Sequence, residues 1–475
     1  MPGIPNDRTT PAQQRLTVHA ENAVSVAWNT YEKINQPCVQ YGLLPELLLW
    51  TECSDSSITY PTSRTYSNVV TISNLLPAVT YYYKIVSTNS SVEQFMSPRI
   101  TGDRTPFTFA AVIDLGVYGA DGFTLPSGDY KRGEPLPQIQ PELNHTTIWQ
   151  LSQSVDDYEF ILHPGDFAYA DNFADVFSLE SNPANGYETI LEQFYEQLAP
   201  ISGRKLYMAG PGNHDADCTE SDPAATCPVG QMNFTDYINR WGRMTPTVFP
   251  TLSWFPTSLT NTEQATKLAQ TPFWYSFNYG MVHFIMINTE TDFDNAPDED
   301  LGGPFGFPNQ QLEFIKADLA SVDRTITPWV VLGGHRTWYS IGGSGNICSP
   351  CQAAFEDLLY TYGVDLAIFG HVHNSQRFLP VYNSTADPNG MNDPKSPMYI
   401  VAGGAGNIEG LVAVTQNVTF NQFAYADDFS FATISFLDTN HLKVDFIRSA
   451  TGEVLDSSVL YKSHKDQFVV QQLPQ

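Results

Sequence analysis

Positive charge is scarce in this chain. Its 475 residues hold 23 Lys and Arg against 51 Asp and Glu, for a net charge of −28 and a pI near 4.5. With no basic block to track a phosphate backbone, nucleic acid is not an expected partner. Long apolar runs are missing as well: nothing approaches the roughly 18 to 20 residues that cross a bilayer, so no membrane span is expected. The stretch Met1 to Gln14 is polar and carries three prolines, unlike a signal peptide. Charged residues of both signs make up only 16%, while glycine, proline and aromatics are plentiful, as in a globular chain. An acidic surface repels itself at neutral pH and less so in acid, which suits an acidic medium.

Cysteines are few and even in number, at six. Pairing of sequence neighbours would join Cys38 to Cys53, Cys218 to Cys227 and Cys348 to Cys351. The last pair also has CxxC spacing, but no second CxxC accompanies it, so a zinc or redox role is the weaker reading. Glycosylation sequons begin at Asn89, Asn144, Asn233, Asn383 and Asn417. Together these features predict a secreted glycoprotein whose leader has been replaced by Met1.

What is present divides near residue 104. From Gln13 to about Pro98 come short alternating runs, among them Val79 to Val86, where aromatic and β-branched residues mix with polar ones as in a half-buried strand. About seven strands fit, so residues 1–104 are expected to form an all-β sandwich similar to a fibronectin type III module. From residue 105 the pattern changes to nearly continuous apolar runs, such as Phe107 to Ile113, Lys205 to Ala209, Trp329 to Leu332 and Asp365 to Phe369. Helix-like stretches separate them at Leu143 to Val155, Tyr187 to Leu198, Asn309 to Leu319 and Gln352 to Tyr362. This alternation predicts a layered α/β domain over 105–475, with Phe429 to Tyr461 returning to hairpins at its outer part. A glycine- and proline-rich segment from Val117 to Pro141 could overhang a site or be a plain insertion.

Five turns after predicted strands carry the polar chemistry. They are Asp114-Leu-Gly, Gly165-Asp-Phe-Ala-Tyr169, Gly212-Asn-His-Asp215, Gly334-His-Arg336 and Gly370-His-Val-His373. Open α/β sheets bind their ligands outside the carboxyl ends of strands, where these turns are expected. In this order the five blocks resemble the metallophosphoesterases, and Tyr169 in the second resembles specifically the purple acid phosphatases, which also carry an N-terminal sandwich. The resemblance implies a four-layer αββα sandwich for the second domain. It also implies a binuclear metal centre: Asp114, Tyr169 and His373 on one ion, Asn213, His335 and His371 on the other, and Asp166 spanning both through its two oxygens.

The donor chemistry agrees. Carboxylate and phenolate oxygens suit ferric iron, while imidazoles and an amide suit a divalent zinc, iron or manganese. A tyrosine ionises near pH 10, so only a strong Lewis acid keeps Tyr169 deprotonated in acid. A ferric ion with a divalent partner outweighs the anionic Asp114, Asp166 and Tyr169, so the centre would hold a hydroxide and attract a phosphate ester. The expected reaction is hydrolysis of a phosphomonoester in acid. By the same resemblance His214 points into the cleft to stabilise the phosphoryl group or protonate the leaving alkoxide, the alternative being a core histidine held by Asp215.

The chain departs from plant members of the family after His335, where Arg336-Thr-Trp-Tyr339 leads on without further histidines. Arg336 is expected either to contact phosphate oxygens or to form a structural ion pair. His19, His145, His163, His283, His441 and His464 read as structural, and the turn Gly403 to Asn407 either lines the cleft or is simply tight. Two rival functions remain at this point: a phosphodiesterase or pyrophosphatase on the same scaffold, and a non-catalytic adhesion or storage protein.

Overall fold

The strands that carry the five turns are apolar on both faces, and both faces are covered. In the computed structural model of the protein, residues 2–118, 145–173, 183–220, 226–246, 253–343, 347–415 and 418–465 are described. The segment read as an insertion over 117–141 lies outside them apart from Val117 and Tyr118, as do the sequons at Asn144 and Asn417.

The N-terminal sandwich has eight strands rather than about seven, the additional one being the two-residue Ser57–Ile58. One of its sheets orders as Trp50–Cys53, Cys38–Gly42, Thr80–Ile85, Glu93–Met96. The other runs Ala12–Ala20, Ala23–Thr30, Tyr66–Ile72, Ser57–Ile58. It does not end there: Leu16 makes a parallel bridge to Leu206, so this sheet continues into the following unit. The sequence pattern could not show this join, because it depends on one register pair between residues far apart in the chain.

Beyond Phe107 two sheets lie face to face. The first adds three parallel strands, Phe107–Ala111, Phe160–Pro164 and Leu206–Gly210, to the antiparallel Ser430–Phe436, His441–Arg448 and Val454–Tyr461. The second has a parallel core of Val282–Met286, Trp329–Arg336, Leu366–Gly370 and Met398–Ala402, edged by antiparallel strands. Phenylalanines close the space between the sheets: the Phe109 and Phe160 rings stack at 5.0 Å, and Phe284 meets both edge-on at 5.3 and 5.4 Å. Buried aromatic pairs of this kind add about 0.5–1.5 kcal/mol each to their burial.

Helices complete the outer layers. Pro183–Ser202 packs over the first sheet at Ala12–Ala20, and its neighbour Thr147–Gln153 is capped by the Thr146 hydroxyl, which accepts from Trp149 N. Gln310–Ser321 lies on the second sheet, with Asp318 accepting from Ser276 at 2.6 Å. Ser349–Thr361 lies beside it, its Phe355 ring facing Trp338. The result is the four-layer αββα arrangement. Pro256–Leu268 is a helix the sequence pattern did not announce, since its Thr, Ser and Asn residues favour caps and turns over helix interiors; packing against Gln310–Ser321 holds it. All three anticipated disulfides are formed, Cys38–Cys53, Cys218–Cys227 and Cys348–Cys351.

Candidate metal centre

Parallel strands with level ends deliver the turns to one place. Pro164 and Gly210 are register partners, so the turns at 165–169 and 212–215 leave the first sheet side by side. In the second sheet the register slips between Gly333 and Arg336, a bulge that re-aims His335 before Arg336 pairs with Gly370. Four of the side chains sit on left-handed backbone: φ is 61° at Asp114, 55° at Asp166, 55° at Tyr169 and 66° at His371. For a non-glycine residue that conformation costs on the order of 1–2 kcal/mol, and such strain concentrates at functional sites. Glycines permit the close approaches. A Cβ on Gly212 would stand 2.3 Å from Asp166 Oδ1, and one on Gly403 would stand 2.6 Å from Asp114 Oδ2.

All seven residues of the expected set are brought together. The Tyr169 hydroxyl lies 3.0 Å from Asp114 Oδ1, 3.2 Å from Asp166 Oδ2 and 3.0 Å from His373 Nε2. On the other side, Asn213 Oδ1 lies 3.0 Å from His335 Nε2 and 2.9 Å from His371 Nδ1, and His335 Nε2 is 3.0 Å from Asp166 Oδ2. Asp166 therefore faces both groups, but through Oδ2 alone. Its Oδ1 accepts from His214 N at 2.9 Å, because the turn at Gly212 closes beneath it. Asp114 divides in the same way, with Oδ2 accepting from His371 N at 2.9 Å.

Outer partners fix which atoms face inward. His335 Nδ1 donates to the Pro164 carbonyl and His373 Nδ1 to the Gly410 carbonyl, each at 3.2 Å, which turns both Nε2 lone pairs to the centre. Asn213 Nδ2 donates to Glu220, leaving Oδ1 inward. The interior thus gathers phenol, carboxyl, amide and imidazole donor atoms at spacings of about 3 Å, the separation of neighbouring donors bound to one ion at 2.0–2.2 Å. That donor set fits a pair of cations.

The electrostatics point the same way. Burial and the charge of Asp166 push the Asp114 carboxyl well above its usual range. Burial opposes ionisation of Asp166 too, but His335 and His214 hold it well below the usual value. The Tyr169 phenol is raised well above 10 by burial, then by Asp114 and Asp166, so it keeps its proton unless a cation displaces it. Burial, then Arg336 and His335, keeps His371 neutral and able to ligate; burial does the same for His373.

The His214 ring lies tilted against the Tyr169 ring, 4.2 Å between centroids. Its Nδ1 pairs with Asp171 at 2.8 Å, not with Asp215, and Nε2 stands 3.8 Å from Glu409. Asp215 instead binds backbone, accepting from the N–H groups of Asp166, Gly212 and Phe167 at 2.9, 3.0 and 3.2 Å. Burial works against a charged His214, yet Asp171, Asp166 and Glu409 raise it well above 6.5. All three kinds of nitrogen in Arg336 are engaged: Nε with Glu290 at 2.6 Å, Nη2 with Asp298 at 3.0 Å, and Nη1 at 3.0 Å from His371 Nε2. The turn at 403–407 also belongs here, since Asn407 Nδ2 donates to the Asp114 carbonyl. Sequence reasoning missed Asp171, Glu220, Glu290, Asp298 and Glu409, and only Asp171, two residues past Tyr169, carried a positional signal. His163 and His283 are structural: His163 meets the Tyr207 hydroxyl at 2.5 Å, and His283 meets Asp318 at 2.8 Å.

Comparison with known proteins decides the family. Residues 11–99 match the purple acid phosphatase N-terminal domain, 139–375 the calcineurin-like phosphoesterases, and 396–457 the iron/zinc purple acid phosphatase-like C-terminal domain. Acid phosphatase A of Cryphonectria parasitica is 58% identical, over 99% of this chain and 95% of its own. This chain belongs to the purple acid phosphatase family. A relative in barley, Hordeum vulgare, named as a nucleotide pyrophosphatase/phosphodiesterase, is 27% identical over 76% of the chain and 88% of its own length. Among solved structures, a purple acid phosphatase from yellow lupin seeds superposes with a TM-score of 0.68 at 22% identity, covering 96% of this chain and 75% of that one, a likeness of fold. Membership in this family implies a binuclear metal centre, and the residues described above fit one.

Proposed function

We propose that the protein is a secreted acid phosphatase that hydrolyses phosphomonoesters at an iron(III)–divalent centre. One observation carries this: a phenol, two carboxylates and three imidazoles converge at about 3 Å spacing in a chain 58% identical to an acid phosphatase. Asp114, Asp166, Tyr169 and His373 would hold the ferric ion, and Asn213, His335, His371 and Asp166 the divalent one, zinc, iron or manganese. When bound, the pair supplies Lewis acidity toward the phosphoryl oxygens and a nucleophile available in acid.

The chain's own residues do the rest. His214, cationic through its contact with Asp171, presents Nε2 to stabilise the phosphoryl group or to protonate the departing oxygen. Arg336 is a positioning residue: anchored by Glu290 and Asp298, its Nη1 donates to His371 Nε2 and sets the ring, and it adds to burial in disfavouring a charged imidazole. Asp215 holds the backbone of the Asp166 turn. Residues 1–104 form the sandwich unit and 105–475 the catalytic one.

Secretion is supported by three disulfides and by exposure of the three described sequon asparagines, Asn89, Asn233 and Asn383. The barley relative's name favours one second reading, a diesterase or pyrophosphatase on the same site. Parallel assays of an aryl monoester and its diester at about pH 5, with metal analysis of the same sample, separate them. Faster diester turnover overturns the monoesterase assignment, and full activity without iron overturns the ferric one. A mass decrease on treatment with an N-glycosidase tests the glycans.

A further inference from the structure

Where the sandwich meets the catalytic unit, two guanidinium groups are buried side by side. Arg15, on the strand Ala12–Ala20, and Arg240, on the helix Thr235–Trp241, are 0 and 1% exposed. Both face the Tyr195 ring, with Cζ at 5.2 and 4.2 Å from its centroid. Gln13 links them: its carbonyl accepts from Arg15 Nη1 at 2.5 Å, and its Oε1 accepts from Arg240 Nη1 at 2.6 Å. Arg240 Nε has Asp236 at 2.6 Å, whereas the other bond of Arg15 Nη1 goes to the neutral Asn29 Oδ1 at 3.1 Å. Burial, then Arg240, push Arg15 down to about 9, so in acid it still carries its charge.

Four donors at this place have no hydrogen-bond partner among the described residues: Arg15 Nε and Nη2, Arg240 Nη2 and Gln13 Nε2. Orphaned buried donors are rare, and a group of them asks for a bound water or ion. The carboxylates nearby are already engaged. Glu192 pairs with Arg64 and Asp236 with Arg240, while Glu188, raised by burial and then by Asp236, shares the Tyr60 hydroxyl with it. The backbone is shaped here as well. The register with Ala23–Thr30 shifts between Ala12 and Arg15, and Gln13 stands at φ 57°, a left-handed conformation that the surrounding structure must hold.

We propose that Arg15, Gln13 and Arg240 hold a buried monovalent anion, chloride or a halide of similar size, between the sandwich strand and the helix of the catalytic unit. The chemistry of the orphans selects the class. A water accepts about two hydrogen bonds and brings two protons that need acceptors of their own, whereas all four groups here are donors. A halide accepts from all four and neutralises Arg15, which hydrogen-bonds to no carboxylate among the described residues. Phosphate and sulfate are larger, and three side chains no more than 1% exposed give them no opening.

Crystals of the metal-loaded enzyme grown in bromide test the site directly. The expected result is an anomalous peak within hydrogen-bond distance of Arg15 and Arg240; density for an oxygen atom there, with no anomalous signal, overturns the proposal. In solution at about pH 5, chloride in place of gluconate at equal ionic strength should raise the melting temperature by about 1–3 °C per tenfold of chloride as the site fills. Equal melting temperatures in the two salts overturn it. Arg15→Gln keeps a donor and removes the charge, so the chloride dependence should vanish in that variant; a dependence that persists places the halide elsewhere and overturns the assignment. Should that variant not fold, the bromide map of the wild type still decides.

Discussion

At Tyr169 a single proton faces three acceptors, and that imbalance gives the residue its testable signature. A phenol raised well above 10 by burial and by two carboxylates ionises in acid only against a strong cation. Tyr169→Phe is therefore expected to abolish the visible absorption of the purified protein while Asp114, Asp166 and His373 still retain iron, as absorption and metal analysis of one sample would show. His214 is tested through its partner. Its pKa lies well above 6.5 because Asp171, then Asp166 and Glu409, overcome burial, so it is charged in acid and loses its proton as pH rises. Asp171→Asn removes the leading favourable charge. The alkaline limb of the kcat/KM profile should shift toward acid, with the acid limb unmoved; an unshifted profile would deny His214 the acid's role. His214→Ala should lower kcat by about 10²–10⁴-fold with both metals retained.

At the scale of the element, the turns depend on strands that keep their register and on glycines that let backbones touch. Gly212→Ala would drive a methyl to 2.3 Å from Asp166 Oδ1 and 2.5 Å from Asp166 N. Overpacking of this kind costs about 1–3 kcal/mol, so reduced iron content and a lower melting temperature are expected together. These elements were also the legible ones. Runs such as Phe107–Ala111 and Leu366–Gly370 read as buried strands because both faces are apolar, and the five turns read as a site because each follows such a run. The left-handed backbone at Asp114, Asp166, Tyr169 and His371 was not legible, since no local rule places a non-glycine residue there; the packing around the centre imposes it. Asp171 and Glu409 were hidden for a related reason. Their place beside His214 arises from contact between chain segments more than 40 residues apart; Asp171 has only its position two residues past Tyr169 to point to it, and Glu409 has no spacing that does.

For the whole molecule, the question is how so acidic a chain stays folded where a phosphatase of this kind works. Several of its buried carboxyls take up protons more readily than free ones. Burial, then Asp236, raises Glu188; burial, then Asp298 against the pull of Arg336, raises Glu290 well above its usual range; burial, then Asp166, does the same to Asp215. A carboxyl whose folded pKa exceeds its unfolded one binds more protons folded than unfolded, so its stabilisation is complete below the unfolded value and is lost as pH rises through the folded one. Glu188 is the informative member because it lies outside the metal centre, at the joint between sandwich and catalytic unit. There the Tyr60 hydroxyl stands 2.6 Å from Glu188 Oε2 and 2.9 Å from Asp236 Oδ1, with Thr62 and Gln231 also donating to Glu188 and Arg240 to Asp236. A proton on Glu188 relieves its repulsion with Asp236, so the joint tightens in acid. The melting temperature should therefore rise as pH is lowered from about 7 toward about 4.5, the reverse of a fold held by surface salt bridges. Glu188→Gln keeps the shape and removes the charge. It should flatten the slope of melting temperature against pH and stabilise the protein most at neutral pH, and an unchanged slope would place the acid preference elsewhere.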